Sequence, residues 1–269
     1  MRLSIITINF NNCPGLQKTI ESVVSQTFRD FEWIVIDGGS TDGSRSLIEQ
    51  FREYFSYWVS EPDSGIYNAM NKAIVRATGD YCLFLNSGDA LYNENTLADV
   101  FHEDLTEDVV YGFFYKVTRE GSIVLEDNSK PVTLGTLLYG TINHSGCSFI
   151  KRALFDKYGL YDESLKIVSD WKFFLIAIGL GQATIKHIRI PISYFDTSGI
   201  GTVNTNLCRA EREQVIHSVI PKRILQDYEL VQQDRELFSK REQLIRSSLS
   251  YRLGHFILSP FKFLRKLLR

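Results

Sequence analysis

Hydrophobic and polar positions in the first ninety residues switch repeatedly between two periods. Residues 3–8 (Leu3-Ser4-Ile5-Ile6-Thr7-Ile8) form a β-branched-rich run, the pattern of a strand buried on both faces. Asn12, Cys13 and Pro14 then open a helix with Leu16, Ile20, Val23 and Val24 at i, i+4, i+7 and i+8, Pro14 being suited to its first turn. Trp33-Ile34-Val35-Ile36 reads as the next strand, ending at Asp37, with Gly38, Gly39 and Gly43 in the turn behind it. A helix carrying Leu47, Ile48, Phe51 and Phe55 on one face follows, then a third strand at 57–60. Residues 65–78 place Ile66, Ala69, Met70, Ala73 and Ala77 on one helical side, stopped by Gly79. Tyr81 to Leu85 is a fourth strand, ending in Asn86-Ser87-Gly88-Asp89.

A βαβαβαβ order predicts an α/β fold with a mainly parallel, doubly wound sheet. Ligands of such sheets bind beyond the carboxyl ends of the strands. Polar residues gather at all four: Asn9 and Asn11, Asp37, Glu61 and Asp63, and Asp89. The second half is less regular. A hairpin is expected over 109–127 with its turn at Glu120-Gly121, then a strand at 147–150, a short helix at 152–158 and a buried helix at 169–178. After residue 200 the chain reads as helical and charged.

Composition narrows the class. In 269 residues, 44% hydrophobic and 23% charged, there is room for one large core or a core with an appendage. A net charge of −2 shows no basic excess, so no nucleic-acid partner is expected. Cys13, Cys82, Cys147 and Cys208 are scattered, without a CxxC pair, which argues against a disulfide framework or a zinc site. The apolar start is too short for a secretory leader, and the longest apolar stretch, 173–180, is well short of the roughly 20 residues that span a bilayer. The expected location is the cytosol.

Four places could carry chemistry. Asp37 to Gly43 is a strand-to-helix loop whose glycines admit a ligand close to the backbone, without the spacing of a dinucleotide fingerprint. There Asp37 reads either as the brace of a tight turn or as an acceptor for a ribose or base. Asn86 to Asp89 is an acidic turn able to help hold Mg²⁺ or Mn²⁺, or to cap the segment near Asn93. Asp170, at a helix start among apolar neighbours, is an N-cap or a general base. His144 reads first as a structural histidine bonded to backbone.

Several motifs in order then resemble the family-2 glycosyltransferases of GT-A fold. They are Thr7 to Asn11, Ser25 to Phe28 with Phe31-Glu32, Val35 to Gly43, Glu61 to Tyr67 with Met70-Asn71-Lys72, Ala77 to Asp80, Leu85 to Asp89, and the stretch from His144 to Trp171. The match is nearest to the branch that builds bacterial O-antigen and capsular polysaccharides, and it covers about residues 1–200. It implies a catalytic domain at 1–200, with a nucleotide-sugar half (1–112) and a smaller mixed acceptor-side half (113–200), followed by a helical extension at 201–269.

By this resemblance Ile8, Asn9 and Phe10 match the segment contacting the nucleotide base, with Phe10 where a ring stacks. Asp37, Asp63 and Asn86 join them in the nucleotide-sugar site. Asp89 matches the last acid of the metal motif, Asp170 the catalytic base, and Trp171 and His144 positions on the acceptor side. Three departures stand out. Gly38 replaces an acid that in the family often reads the uracil ring. Asn86 and Gly88 replace acids of the metal motif, and Ser169 and Lys172 replace acids flanking the base.

The implied activity is inverting transfer from a nucleotide sugar, with UDP the expected carrier, to a glycan or lipid-linked saccharide. A divalent metal (Mn²⁺ or Mg²⁺) is the expected cofactor. The alternative is a catalytically degenerate nucleotide-sugar-binding or membrane-assembly protein on the same fold. A homo-oligomer stays open. In the tail, Lys262, Arg265, Lys266 and Arg269 fall on one helical arc and Phe261, Phe263, Leu264, Leu267 and Leu268 on the other. That pattern predicts a peripheral contact with the inner face of the cell membrane, a docked helix being the alternative.

Overall fold

The first run does form a strand buried on both faces: every residue of β1 (Leu3–Asn9) is buried. The computed structural model describes residues 2–248 and 251, apart from 119, 128, 130, 141, 143, 198 and 200–203. β2 (Phe31–Asp37), β3 (Tyr57–Ser60) and β4 (Tyr81–Phe84) join β1 in the parallel order β3-β2-β1-β4. The connections run through α1 (Cys13–Val24), α2 (Ser44–Gln50) and α3 (Ile66–Arg76). Asn12 caps α1 by accepting the Gly15 N–H, and Pro14 sits in the first turn, where no intrahelical N–H is needed. α2 is shorter than its apolar spacing predicts. It stops at Gln50, and a 3₁₀ turn at Arg52–Tyr54 swings Phe55 edge-on against Trp33, 4.8 Å between centroids.

Two of the motifs meet in space. Glu32 of β2 is buried, and its Oε1 accepts the Ser4 hydroxyl (2.6 Å), the Thr78 hydroxyl (3.0 Å) and the Gly79 N–H (3.1 Å). This carboxylate latches the α3–β4 turn to the first two strands. Gly79 is required there, since a Cβ would lie 2.6 Å from the backbone of Leu3 and Ser4.

Beyond β4 the sheet ceases to be parallel. β5 (Ala90–Leu91) and α4 (Thr96–His102) precede β6 (Val109–Val117), which forms the expected hairpin with β7 (Ile123–Glu126). α5 (Leu134–Tyr139), β8 (Ser148–Lys151), α6 (Ala153–Tyr158), α7 (Ser169–Phe174) and β9 (Ile185–Asp196) follow. β8 runs antiparallel to both β4 and β6, β9 pairs parallel with β6, and β5 closes the edge antiparallel to β9. The mainly parallel sheet is thus parallel in its first half and mixed in its second, because β8 enters between β4 and β6. β6 and β9 regain the direction of β4, so the end of β9 falls at the same sheet edge as the ends of β1 to β4.

α7 passes into a π-helical turn at Leu175–Leu180 instead of continuing as α-helix to 178. α8 (Thr205–Val219) and α9 (Lys222–Ser247) complete the described elements. The chain divides into compact units 1–215 and 216–269. The larger one takes in α8 as far as Val215, beyond the expected boundary at 200. The expected halves 1–112 and 113–200 share its single sheet. The basic segment 261–269 lies outside the described residues.

Candidate active site

The register of the parallel strands decides which polar ends meet. Asn9 pairs with Asp37 and Asp37 with Ser60, so three strand ends stand level. Asp37 accepts from Asn9 Nδ2 (2.7 Å), from the Ser40 hydroxyl and N–H (2.6 and 3.0 Å), and from the Ser60 hydroxyl (2.6 Å). Burial alone would raise its pKa, but these donors outweigh it and hold the carboxyl below its ordinary range. Asp37 is 0% exposed. These four bonds brace the strand ends, as in the tight-turn reading of Asp37.

A cleft of about 1110 Å³ opens beyond these ends, lined by Ile8, Asn9, Phe10, Asp63, Asn86, Asp89, His144, Asp170 and Trp171. Nine of the ten residues singled out from the sequence thus share one cavity, Asp37 being the exception. Phe10 is 65% exposed, an aromatic face free to stack on a planar ligand. Asn9 is buried, with its Oδ1 lacking a hydrogen-bond partner.

The departure at Gly38 has a structural counterpart. A Cβ built on Gly38 would lie 2.7 Å from Asp63 Oδ2 and 3.2 Å from the Phe10 ring. Asp63, from the loop after β3, fills the space a side chain at 38 would need. Its Oδ1 accepts the Gly65 N–H at 3.0 Å. A carboxylate therefore stands beside the aromatic platform after all, delivered from a neighbouring strand.

Asp89 is 3% exposed. Its Oδ2 accepts the Ser145 hydroxyl and its Oδ1 the Asp196 N–H, both at 2.9 Å. Burial, reinforced by the nearby charge of Asp196, pushes its pKa up to about 7 against these bonds. The Asp196 carboxylate packs on Gly88, where a Cβ would be 2.7 Å from its Oδ2. Asn86 donates to Ser145 Oγ at 3.0 Å, but its Oδ1 is buried without a partner. Among the described residues no three His, Cys, Asp or Glu side chains are grouped to hold a metal. Two carboxylates and an orphaned amide oxygen are nonetheless the hard oxygen donors that Mg²⁺ or Mn²⁺ prefers, with further ligands left to phosphate and water.

Asp170 lies in the first turn of α7 while Val168 takes the N-cap position, so the capping alternative is excluded. Its side chain is 31% exposed, with Oδ2 4.0 Å from His144 Nδ1. The Tyr67 hydroxyl reaches Asp170 Oδ1 at 2.9 Å and Ile167 O at 2.5 Å. His144 is buried, and desolvation lowers its pKa to about 4 despite the Asp170 charge, so the ring is neutral near pH 7. Burial, then Asp170, holds Tyr161 well above a phenol's ordinary range. The Tyr161 hydroxyl therefore keeps its proton and hydrogen-bonds with His144 Nε2, while His144 Nδ1 is buried without a hydrogen-bond partner and faces Asp170. The expected bond of His144 to backbone is replaced by this side-chain pair. Trp171 is 2% exposed, its indole N–H donating to Leu137 O at 2.7 Å.

Sequence reasoning did not single out Asp196, Tyr67, Tyr161 or Arg212. Tyr67 lies in a recognised motif, and Asp196 ends a strand, but the direction of β9 had to be known before its last residue could be placed at the site.

Comparison with known proteins assigns this architecture to the glycosyltransferases of GT-A fold. A family model described as Glycosyl transferase family 2 matches residues 4–159, and the chain belongs to that family. It is similar to an uncharacterized glycosyltransferase of Mycobacterium tuberculosis, 35% identical over 205 residues, 74% of this chain and 77% of that one. It also resembles a PGL/p-HBAD biosynthesis glycosyltransferase of Mycobacterium bovis, 28% identical over 211 residues, with 75% and 79% covered. Among solved structures, S. aureus TarS 1-349 in complex with UDP-GlcNAc has a TM-score of 0.61 at 23% identity, over 74% of this chain and 59% of that chain. The mannosyltransferase PcManGT from Pyrobaculum calidifontis, in complex with GDP-Man and Mn²⁺, has a TM-score of 0.52 at 19% identity, over 71% and 56%. The chain spans less than two thirds of either solved chain.

Proposed function

We propose that this protein transfers a sugar from a nucleoside diphosphate sugar, with UDP as carrier, to a hydroxyl of a glycan or lipid-linked saccharide, inverting the anomeric centre. The observation that carries the reading is that Phe10, Asp63 and Asp170 all line one cleft. Phe10 stacks the base. Asp63 has spent Oδ1 on Gly65, so Oδ2 is the oxygen left to read a ring N–H. Uracil presents one such group between two carbonyls, whereas guanine's N1–H and amino group call for two acceptors. Asp170 takes the acceptor's proton as its hydroxyl attacks the anomeric carbon and the nucleoside diphosphate leaves from the opposite face. Tyr67 orients the carboxylate through its hydrogen bond to Oδ1. No covalent enzyme intermediate is required.

Asp89, Asp196 and Asn86 would hold a divalent cation, which when bound neutralises charge on the departing diphosphate. A peripheral membrane contact through 261–269 would bring the enzyme to a lipid-linked acceptor. Among the described residues no helix is long and apolar enough to cross a membrane.

Calorimetry with UDP and GDP, each with and without Mn²⁺, tests the donor side, and a donor panel assayed for nucleoside diphosphate release tests the chemistry. Binding of UDP with release of UDP from one donor is expected. Absence of binding by either nucleotide would sink the donor site, and a preference for GDP would overturn the assignment of the base.

A further inference from the structure

The Arg212 guanidinium in the cleft has no counter-charge within ion-pair distance among the described residues. α8 is tied to the loop before α7 by Glu211, which is buried and accepts the Lys166 N–H on Oε1 (2.7 Å) and the Ile167 N–H on Oε2 (3.0 Å). The tie fixes the next residue. The Arg212 guanidinium carbon lies 4.7 Å from the centroid of Trp171, and Arg212 lines the same cleft as Asp170. Trp171 is itself pinned to Leu137 O, so the indole is a rigid shelf under the arginine. Arg212 Nε is buried without a hydrogen-bond partner. Among the described residues Arg212 enters no ion pair.

A half-buried guanidinium with an unmade hydrogen bond is costly, and stacking on an indole offsets only part of that cost. A ligand bearing an anionic group would supply what the protein withholds, and the planar fork suits the paired oxygens of a phosphate or carboxylate. α8 lies beyond the segment matched to the family, 4–159.

We infer that Arg212 is an anion clamp for a phosphate or carboxylate group of a substrate, placed beside the group that receives the acceptor's proton. The inference rests on the reading of Asp170 as the base. Its first source is the acceptor: an acidic saccharide, or one joined to its carrier through phosphate. Its second is the donor's diphosphate.

The test uses the full chain, Arg212→Gln and Arg212→Lys, with melting temperature as a check on folding. In one arm UDP is titrated into each protein. In the other, inorganic pyrophosphate and glucuronic acid are titrated into protein already saturated with UDP and Mn²⁺, read by tryptophan fluorescence, since Trp171 lies under the clamp. Saturable binding by the wild type in the second arm, weakened about tenfold or more by Arg212→Gln and less by Arg212→Lys, supports the clamp and assigns it to the acceptor. A comparable loss confined to UDP supports the clamp and assigns it to the donor. Unchanged affinity in both arms overturns it. Should UDP fail to bind even the wild type, the donor reading falls, and the second arm run without UDP still decides on Arg212.

Discussion

His144 Nδ1 faces Asp170 Oδ2 across 4.0 Å from a ring whose side chain is 2% exposed. Behind it Tyr161 fixes the other nitrogen, and Tyr67 holds the second carboxylate oxygen. The Tyr67 hydrogen bond steadies one oxygen of this acid and leaves the other, beside the His144 ring, without a hydrogen bond from it. Asp170→Asn is expected to lower turnover by roughly 10²–10⁴-fold, the range for loss of a general base. UDP affinity should stay within about twofold, because in the proposed reaction Asp170 acts on the acceptor and not on the nucleotide. Steady-state kinetics beside calorimetry checks both halves, and near-normal turnover would remove Asp170 from the chemistry.

The buried imidazole has a cost at acid pH. In the unfolded chain His144 takes up a proton near its ordinary 6.5, while in the folded protein it resists until about 4. The unfolded state therefore binds more protons between these values, and this group's contribution makes folding weaker as pH falls from about 6.5 to about 4. The drop amounts to roughly 3 kcal/mol. Urea unfolding at pH 7 and pH 4.5 should show a smaller acid loss in His144→Gln than in the wild type. Equal losses would mean that the ring is protonated in the folded state.

Glu32 makes a prediction about stability alone. Removing it strands the Thr78 and Gly79 donors in the interior, so Glu32→Ala should cost about 3 kcal/mol. Ser4→Ala, which leaves those bonds to the carboxylate intact, should cost about 1 kcal/mol. Denaturant midpoints decide, and equal effects would mean that the latch is not organised around the carboxylate.

The parallel half of the fold was legible because its signals are local. The run at 3–8, the stop at Gly79 and the caps at Asn12 and Pro14 each state their structure within a few residues. Asn9, Asn11, Asp63 and Asp89, read at the ends of β1, β3 and β4, all line one cleft. What stayed hidden depends on pairing between distant segments. The direction of β9 brings Asp196 to Asp89, and α8 brings Arg212 onto Trp171, across 107 and 41 positions of sequence. Asp37 shows a related point: an acid after a strand reads the same in sequence whether or not its oxygens are taken up by Asn9, Ser40 and Ser60, as they are here.

The tail makes a prediction independent of the cleft. Each Lys or Arg near an anionic surface contributes about 1 kcal/mol, so Lys262, Arg265, Lys266 and Arg269 together would give attachment that salt can reverse. The full chain should sediment with phosphatidylglycerol-containing vesicles at low salt and be released at high salt. Replacing the four with serine should abolish sedimentation while leaving UDP affinity unchanged. Equal sedimentation of both proteins would refute a role for the tail.

The exchange of an acid between positions 38 and 63 can be run in reverse. Asp63→Ala removes the carboxylate beside Phe10, and the lost charge-assisted bond to a ring N–H should weaken UDP roughly tenfold to a hundredfold. Gly38→Asp alone should also weaken UDP, because its Cβ would sit 2.7 Å from Asp63 Oδ2 and two carboxylates would compete for one space. Gly38 does not have a positive φ, so the backbone there accepts a side chain once Asp63 is trimmed. The double variant Gly38→Asp with Asp63→Ala should therefore bind UDP more tightly than either single one. Calorimetry on the four proteins completes the cycle, with GDP as the control for base selectivity. Additive losses in the double variant would show that the two positions do not share the base-reading role, and a parallel loss of GDP would show that Asp63 acts on the diphosphate sugar rather than on the base.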